Sequence, residues 1–160
     1  MWALITGASS GIGYCYAEEL ASRGYPLVVV SNEEAALCKA ADRLARQYGV
    51  EICPIPMDLA TADAADRLYE ACRERNIRID VLVNNTGIFK EGDALQASEA
   101  DFCKIMSINT TGTFLGMQAV LPQMVAQKSG SIVNIASEAG LIAIPGQIAY
   151  NTSKAAIIMM

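Results

Sequence analysis

Short apolar runs alternate along the chain with longer stretches in which apolar residues recur every three or four positions. Five of these runs have the length and the aliphatic content of buried strands. They cover residues 2–6, 27–31, 51–57, 80–85 and 131–136. The third run contains Pro54 and Pro56, which cannot donate backbone hydrogen bonds, so we expect it at an edge of the sheet.

The segments between the runs have helical periodicity. Asn32 and Thr61 are the predicted N-caps of the second and third helices, and Ser98 with Asp101 resembles a capping box that opens a long helix toward Gln127. The predicted apolar faces consist of Ile12, Tyr16 and Leu20 in the first helix, Ala36, Leu37, Ala40, Leu44 and Tyr48 in the second, and Ala65, Leu68 and Cys72 in the third.

The whole pattern predicts a single α/β domain over residues 1–160. Strands and helices alternate five times with short connections, which favours a doubly wound parallel sheet in a three-layer α/β/α arrangement. We expect Gly112 and Pro122 to bend the long helix, and a further helix to begin near Tyr150. The predicted sheet is truncated after about five strands.

Composition then excludes several classes of function. Lys plus Arg number 12 against 17 Asp plus Glu, a net charge of -5, so the basic stripe that nucleic acid binding requires is missing. No apolar stretch has the length of a membrane span, because Gly140, Pro145 and Gly146 interrupt the longest one. The five cysteines have no CxxC spacing, which is typical of reduced thiols. The sequence therefore predicts a cytoplasmic protein with no nucleic acid or membrane partner.

The chain contains no histidine. This removes Ser-His-Asp chemistry, histidine general bases and histidine-ligated metals, and we expect no metal site. The segment 6–13, TGASSGIG, includes the GxSxG spacing of a hydrolase nucleophile elbow, but that interpretation needs a histidine base. A P-loop is excluded as well, because no Gly-Lys-Ser/Thr follows.

The same segment joins the first strand to the first helix. A glycine-rich turn at that place points backbone N–H groups and the positive end of the helix dipole at an anion, so it can hold pyrophosphate without basic side chains. Gly7, Gly11 and Gly13 are spaced GxxxGxG, and glycines can also serve a tight turn by geometry alone. Their place after the first strand of an alternating pattern favours dinucleotide binding.

Six motifs in order resemble the short-chain dehydrogenase/reductase family. They are TGASSGIG, Asp58-Leu59 after the third strand, NNTG (84–87) after the fourth, the asparagine of SINTTGTF, SIVNIASEAG and YNTSK, and they span the whole chain. The resemblance implies a Rossmann-like fold and an NAD(P)-dependent oxidoreductase that interconverts a secondary alcohol and a ketone. It also implies that Asn84 braces the sheet. Thr86 stands where the family usually has alanine, and we expect this small residue to be tolerated.

The resemblance assigns catalytic roles to Asn109, Ser137, Tyr150 and Lys154. Phenols titrate near pH ~10 in model peptides, and a lysine four residues on along a helix lies over the same face, where its ammonium favours phenolate. Tyr150 would be the general acid/base, Ser137 would hold the substrate oxygen, Lys154 would also bind the nicotinamide ribose, and Asn109 would hold a water that extends the proton path. Tyr-x-x-x-Lys alone also occurs in ordinary helices, so the order of the motifs carries this assignment.

The resemblance further implies a cofactor site. Its residues are Gly7, Ser9, Ser10, Gly11, Ile12, Gly13, Asn32, Asp58, Leu59, Asn85, Thr86, Gly87, Tyr150 and Lys154. At the end of the second strand, Asn32 stands where NAD enzymes of the family often carry aspartate. Neither Ser10 nor Glu33 supplies the positive charge typical of NADP binding. The sequence therefore favours NAD, with NADP as the alternative.

Family members continue past the Tyr-Lys helix with further strands and a substrate lid, so we expect this sequence to be the N-terminal part of a longer chain. The resemblance implies a small-molecule alcohol or ketone substrate. Its identity stays open, because residues 140–149 form only one apolar wall of the substrate site. It also implies a homodimer or homotetramer, formed through the long helix from Ser98 and the helix after Tyr150. The alternative function is a non-catalytic dinucleotide-binding module or an inactive fragment.

Overall fold

The computed structural model describes residues 1–61 and 63–160 and confirms the predicted alternation of strands and helices. Within these residues the strands are β1 Trp2–Thr6, β2 Leu27–Ser31, β3 Ile52–Pro56, β4 Ile79–Asn84 and β5 Ser131–Asn134. The helices are α1 Gly11–Ser22, α2 Glu34–Tyr48, α3 Ala64–Glu74, α4 Glu99–Met106, α5 Gly112–Gln127 and α6 Ile148–Ile158. A π-helical turn, Ser107–Thr111, joins α4 to α5, and a 3-10 turn, Glu138–Gly140, follows β5.

The strands form one parallel sheet in the order β3-β2-β1-β4-β5. The predicted edge position of β3 is confirmed, since its proline-containing backbone pairs only with β2. The chain leaves β1 toward β2 and β3 on one side, then returns to place β4 on the other side of β1. The carboxyl ends of β1 and β4 therefore meet at the point where the strand order reverses, which is where ligands bind in open α/β sheets.

Helices cover both faces of the sheet. All five residues of β2 are buried, as expected for a strand with a helical layer on each side. One apolar cluster joins α1 and α2 to the sheet through residues such as Ala17, Leu37, Leu44, Ile5 and Val29. The other joins α3 and α5 to the opposite face through residues such as Leu68, Val120, Leu4, Val28 and Leu82. The three-layer architecture is thus the predicted one.

The buried face of α1 differs from the predicted one. Its buried residues are Gly13, Ala17 and Ala21, whereas Ile12 is 59% exposed. Tyr16 and Leu20 are half-buried at the side of the cluster. Small residues face the sheet because the glycine turn brings the start of α1 into backbone contact with β1, and larger side chains would hold the helix away.

Two of the predicted helix caps are wrong. The N-cap of α2 is Glu33 rather than Asn32, and that of α3 is Asp63 rather than Thr61. Asn32 lies one residue before the cap, and the Ser31 hydroxyl oxygen accepts a hydrogen bond from the Glu33 N–H at 3.2 Å. The Ser98 cap is confirmed, because its hydroxyl oxygen accepts from the Asp101 N–H at 3.1 Å.

Smaller differences concern element ends and the long helix. β4 begins and ends one residue earlier than predicted, β5 ends two residues earlier, and α3 buries Ala64 more deeply than Ala65. The long helix is interrupted by the π-turn immediately before Gly112, while Pro122 lies inside α5. No helix in the described part of the chain has both the length and the apolar content needed to cross a bilayer.

Candidate active site

The glycine turn leaves the first backbone N–H groups of α1 available. The N-cap residue Ser10 makes no side-chain capping bond, and the first turn of α1 carries no acidic residue. Helix N-termini with uncapped N–H groups attract anions through these groups and the helix dipole. The residues present therefore fit a phosphate group of a dinucleotide at this end of α1.

The backbone of this turn is packed against itself. Gly7 has a φ of +65°, and a Cβ on Gly7 would lie 2.7 Å from Nδ2 of Asn85. A Cβ on Gly13 would lie 2.2 Å from the carbonyl oxygen of Gly7, which no real side chain tolerates. Glycine is required at both positions by geometry, and the close approach brings the N-terminus of α1 to the end of β1.

Side chains from β1 and the segment after β4 lock the turn to the sheet. The Thr6 hydroxyl oxygen accepts from the Asn85 N–H at 2.9 Å and from the Thr86 N–H at 3.0 Å. Nδ2 of Asn85 donates to the carbonyl oxygens of Thr6 and Gly7, at 3.0 and 3.2 Å. Two of the predicted motifs, TGASSGIG and NNTG, are thus one hydrogen-bonded unit.

Asn84, the first residue of NNTG, is buried and joins β4 to its neighbours. Its Nδ2 donates to Oδ1 of Asn134 in β5 at 3.0 Å and to the carbonyl oxygen of Thr113 in α5 at 3.4 Å. This is a bracing geometry between two strands and a helix, and it agrees with the structural role that the resemblance implies.

Glu33, rather than Asn32, reaches the glycine turn from the end of β2. The Ser31 hydroxyl donates to Oγ of Ser9 at 3.0 Å, and the Ser9 hydroxyl donates to Oε2 of Glu33 at 3.5 Å. Asn32 is exposed. The side of the turn nearest β2 therefore carries a negative charge.

The segment after β3 contributes one exposed and one half-buried residue. Asp58 is exposed, and its Oδ1 accepts from the Ala60 N–H at 2.9 Å, so the carboxylate closes a local turn. Leu59 lines a cavity of about 140 Å³ that Thr6 and Thr86 also line. Two of the predicted cofactor residues, Leu59 after β3 and Thr86 after β4, thus share one depression.

Asn109 lies in the π-turn and is fully buried. Its Oδ1 accepts from the Ile88 N–H at 2.8 Å, while its Nδ2 donates to the Ile88 carbonyl oxygen at 2.9 Å and to Oγ of Ser153 at 3.0 Å. The Thr113 hydroxyl donates to the Asn109 carbonyl oxygen at 2.7 Å. π-turns inside helices are frequent at functional sites, and this one presents the Asn109 amide to the segment after NNTG.

Lys154 extends from α6 toward Asn109 and Gly87. We call the group formed by Asn109, Lys154 and Tyr150 the corner. Its Nζ donates to the Ile135 carbonyl oxygen at 2.7 Å and lies 3.6 Å from the Cβ position of Gly87, which is itself 3.3 Å from Oδ1 of Asn109. Nζ is also 5.7 Å from the centroid of the Tyr150 ring. The side chain is almost fully buried, and this burial lowers the pKa of Lys154 from its usual value.

Tyr150 completes this corner, and Ser137 borders it. The Tyr150 ring packs edge-to-face against Phe89, with ring centroids 5.3 Å apart. The Ser137 hydroxyl oxygen accepts from the Ala139 N–H at 3.2 Å, which leaves its hydrogen to be donated elsewhere. The 3-10 turn that Ser137 begins lies directly on α6, since a Cβ on Gly140 would be 2.6 Å from the Lys154 carbonyl carbon.

Sequence reasoning missed two residues of this corner, Ser153 and Thr113. The Ser153 hydroxyl donates to the Tyr150 carbonyl oxygen at 2.8 Å and accepts from Asn109, so it connects α6 to the π-turn. Thr113 satisfies the Asn109 carbonyl oxygen. Their positions offer a signal: Ser153 is three residues after Tyr150, and Thr113 is four residues after Asn109, so each pair shares a helix face.

The fold and the corner together define a Rossmann-like α/β protein with a polar site at its strand-order reversal. The family model described as short chain dehydrogenase matches residues 1–160. The chain therefore belongs to the short-chain dehydrogenase family of oxidoreductases.

Individual relatives agree with this assignment. A 3-oxoacyl-(acyl-carrier-protein) reductase from Synechocystis sp. is 40% identical over 158 residues, which are 98% of this chain and 63% of that protein. A bulky-bulky ketone specific alcohol dehydrogenase from Comamonas testosteroni has a TM-score of 0.91 at 34% identity, covering 99% of this chain and 63% of that chain. A short-chain dehydrogenase from Sphingobium yanoikuyae in complex with NADPH has a TM-score of 0.91 at 35% identity, with 99% and 62% covered. The chain thus spans less than two thirds of the length of these relatives.

Proposed function

We propose that this chain carries the cofactor and proton-transfer site of an NAD(P)-dependent oxidoreductase that interconverts a secondary alcohol and a ketone. The observation that carries the proposal is the convergence of Lys154 and Asn109 on Gly87, with Tyr150 one helical turn before the lysine. Two relatives are named for a 3-oxoacyl group and a bulky ketone, which are both carbonyl compounds of this type.

The proposed reaction assigns a separate role to each residue of the site. The nicotinamide group supplies or accepts the hydride when it is bound. The Ser137 hydroxyl donates to the substrate oxygen, and the Tyr150 hydroxyl transfers the proton to or from that oxygen. The Lys154 ammonium donates to the Ile135 carbonyl oxygen and lies 5.7 Å from the centroid of the Tyr150 ring, so it places a positive charge beside the phenol. Asn109 acts as a positioning residue, because its side-chain amide holds the backbone of Ile88 through two hydrogen bonds.

The test compares wild type with Tyr150→Phe in an absorbance assay for NAD(P)H, using a panel of secondary alcohols and ketones. General acid/base catalysis contributes roughly 100- to 10,000-fold, so we expect a loss of kcat in that range with cofactor binding within about twofold of wild type. Unchanged turnover in Tyr150→Phe would refute the acid/base role. Tight cofactor binding without turnover in wild type would favour the alternative of a non-catalytic dinucleotide-binding module.

We further propose that NAD is preferred over NADP. The Glu33 carboxylate contacts Ser9 in the glycine turn and would repel a 2′-phosphate, whereas it can accept from a 2′-hydroxyl. NADPH is present in the Sphingobium relative, so the preference has to be measured on this chain. Titration with NADH and NADPH should give tighter binding of NADH. Glu33→Gln should reduce the difference between the affinities for the two cofactors. Tighter NADPH binding in wild type would overturn the preference but not the reaction class.

We also propose self-association through the outer face of α5. Phe114, Leu121 and Val125 are exposed there to 47, 43 and 70%, at spacings that place them on one stripe of the helix. Exposed apolar stripes of this kind are typical of interfaces between copies. Light scattering of wild type should give the molar mass of at least a dimer. Val125→Lys should lower the measured mass toward that of the monomer. A monomeric wild type would contradict the proposal.

A further inference from the structure

Phe89 lies two residues after the NNTG motif, in the segment that follows β4. Its ring packs edge-to-face on the Tyr150 ring, with the centroids 5.3 Å apart and the ring planes at 81°. The residue is nevertheless 50% exposed, so half of a large apolar surface stays open beside the phenol of the proposed active site. Single exposed apolar side chains are common on protein surfaces, so the surroundings of Phe89 decide what its exposure means.

The backbone before Phe89 is held by a buried side chain. The Ile88 N–H donates to Oδ1 of Asn109 at 2.8 Å, and the Ile88 carbonyl oxygen accepts from Nδ2 of Asn109 at 2.9 Å. Asn109 is fully buried and also donates to Oγ of Ser153 in α6. The ring of Phe89 is thus attached to the same hydrogen-bonded group that supports the helix of Tyr150.

The backbone after Phe89 is held as well. The Gly92 N–H donates to the carbonyl oxygen of Gly146 at 2.9 Å, which joins this segment to the loop before α6. Gly146 has a φ of +77°, and its Cβ position lies 3.4 Å from Cγ of Glu91, so the two segments pack closely. The chain is therefore anchored on both sides of Phe89, to the π-turn before it and to the loop after it.

The loop before α6 carries further exposed apolar side chains, Leu141 and Ile142. It is fixed to α6, because Nδ2 of Asn151, the residue after Tyr150, donates to the Ile144 carbonyl oxygen at 2.9 Å. Exposed apolar side chains therefore occur on both segments that are joined to the helix of Tyr150, and hydrogen bonds hold both segments. Apolar side chains in fixed positions are typical of small-molecule sites.

The charges on these segments do not favour an anionic ligand. Lys90, the residue after Phe89, is paired with Asp101 at 2.6 Å. Glu91 adds a negative charge to the same segment. The Lys154 ammonium is buried and donates to a backbone carbonyl oxygen. An uncharged group therefore suits the open surface of Phe89 better than a carboxylate or a sulfonate does.

We propose that Phe89 is a specificity-determining residue that selects substrates with an aromatic ring on the carbonyl carbon, of the aryl ketone class. The proposal rests on the proposed oxidoreductase function, because it places the substrate oxygen at the Tyr150 hydroxyl. The ring of the substrate then lies on the open surface of Phe89. Aromatic pairs attract each other by more than the area they bury, which corresponds to roughly two- to tenfold in affinity.

The test uses two ketones that differ only in the ring. Acetophenone has an aromatic ring, and cyclohexyl methyl ketone has a saturated ring of nearly equal size. Both are titrated by calorimetry into the 160-residue chain with saturating NAD⁺, where no turnover occurs because ketone and cofactor are both oxidised. We expect acetophenone to bind roughly two- to tenfold more tightly. Equal affinities, tighter binding of the saturated ketone, or no binding of either would overturn the proposal.

Two variants at one position separate the aromatic contact from the size of the side chain. Phe89→Leu keeps an apolar side chain but removes the ring, so the preference for acetophenone should disappear. Phe89→Tyr keeps the ring and should keep the preference. Both variants should fold, because the position is half exposed. An unchanged preference in Phe89→Leu, or its loss in Phe89→Tyr, would refute the role of the ring.

Fluorine resonances locate the bound ketone. The chain contains three phenylalanines, at positions 89, 102 and 114, so labelling with 4-fluorophenylalanine gives three signals. The signal that is missing in Phe89→Leu belongs to Phe89. Acetophenone should shift this signal and leave that of Phe114, on α5, unchanged. An unshifted Phe89 signal at saturating acetophenone would place the ketone elsewhere and refute the proposal.

Turnover with NADH distinguishes failure of this proposal from failure of the proposed function. A chain that reduces both ketones with the same relative kcat/KM in wild type and in Phe89→Leu would overturn the role of Phe89 and leave the reaction class intact. A chain that binds acetophenone at Phe89 without reducing it would refute the proposed reaction and support the aromatic binding surface.

Discussion

The glycine turn and the Tyr150–Lys154 corner lie at the same edge of the sheet but are built in opposite ways. The turn is made of backbone, and its constraints are steric: a Cβ on Gly13 would meet the Gly7 carbonyl oxygen at 2.2 Å. The corner is made of side chains, and its constraints are polar: Asn109, Ser153 and Lys154 are buried and hydrogen-bonded.

This difference separates the two tasks of the site. A backbone cradle binds an anion without any charged side chain, so its chemistry does not change with pH or with most substitutions outside it. The corner places an amine and a phenol side by side, so it can move a proton, but it depends on several buried groups being satisfied at once. We therefore expect dinucleotide binding to depend mainly on the turn and turnover mainly on the corner, whereas substitutions in either region lower the free energy of unfolding.

Gly13→Ala should have the largest effect. The added methyl group meets backbone, which cannot move aside, so we expect a loss of about 3 kcal/mol in the free energy of unfolding and at least 100-fold weaker NADH binding. Gly11→Ala is the matched control. Its Cβ would meet nothing within 4 Å, and only its φ of +55° is unfavourable, so it should lose about 1 kcal/mol. Urea unfolding measures the stability of the two variants, and NADH titration measures their affinity. Equal losses of stability in Gly13→Ala and Gly11→Ala would contradict the steric explanation.

Asn109→Ala should have the next largest effect, and on stability rather than binding. It removes three hydrogen bonds and leaves the Ile88 backbone and the Ser153 hydroxyl without their partner, which should cost about 2 kcal/mol. NADH binding should fall less than in Gly13→Ala. Asn32→Ala, at an exposed asparagine, should change stability by less than about 0.5 kcal/mol. A comparable stability loss in Asn32→Ala would show that the buried contacts of Asn109 are not the cause.

The sequence predicted the elements of both regions because their signals are local. Alternating periodicity placed all five strands. Glycine spacing placed the turn, since positive φ at Gly7 and Gly11 and the close backbone contact at Gly13 favour glycine. What it could not predict depends on tertiary contact. The buried face of α1 is Gly13, Ala17 and Ala21, because the turn fixes the distance of the helix from the sheet, and periodicity alone favoured Ile12.

The corner shows the same limit for single residues. The four residues that the resemblance assigned come from α6, the π-turn and the segment after β5, and the structure brings Asn109 and Lys154 to Gly87. Ser153 and Thr113 were missed because serine and threonine on a helix bond to their own backbone as readily as to a neighbour. Their partner, Asn109, is presented by a π-turn, and no pattern in SINTT distinguishes that turn from ordinary helix.

The smallest predicted effect concerns pH, and it applies to the corner alone, because residues 6–13 contain no titratable side chain. Burial lowers the pKa of Lys154 below its usual 10.5, so between the folded and unfolded values the unfolded chain binds more protons. By linkage, the contribution of this lysine to stability increases as pH rises from the folded pKa toward 10.5, and the lysine lowers stability below the folded pKa, where it is charged.

Urea unfolding at a series of pH values up to 10.5 should show the stability of wild type rising relative to that of Lys154→Met. The exposed Lys39→Met on α2 gives the effect of removing a surface charge. A difference in stability between wild type and Lys154→Met that is constant or falls with pH would contradict the burial of the amine.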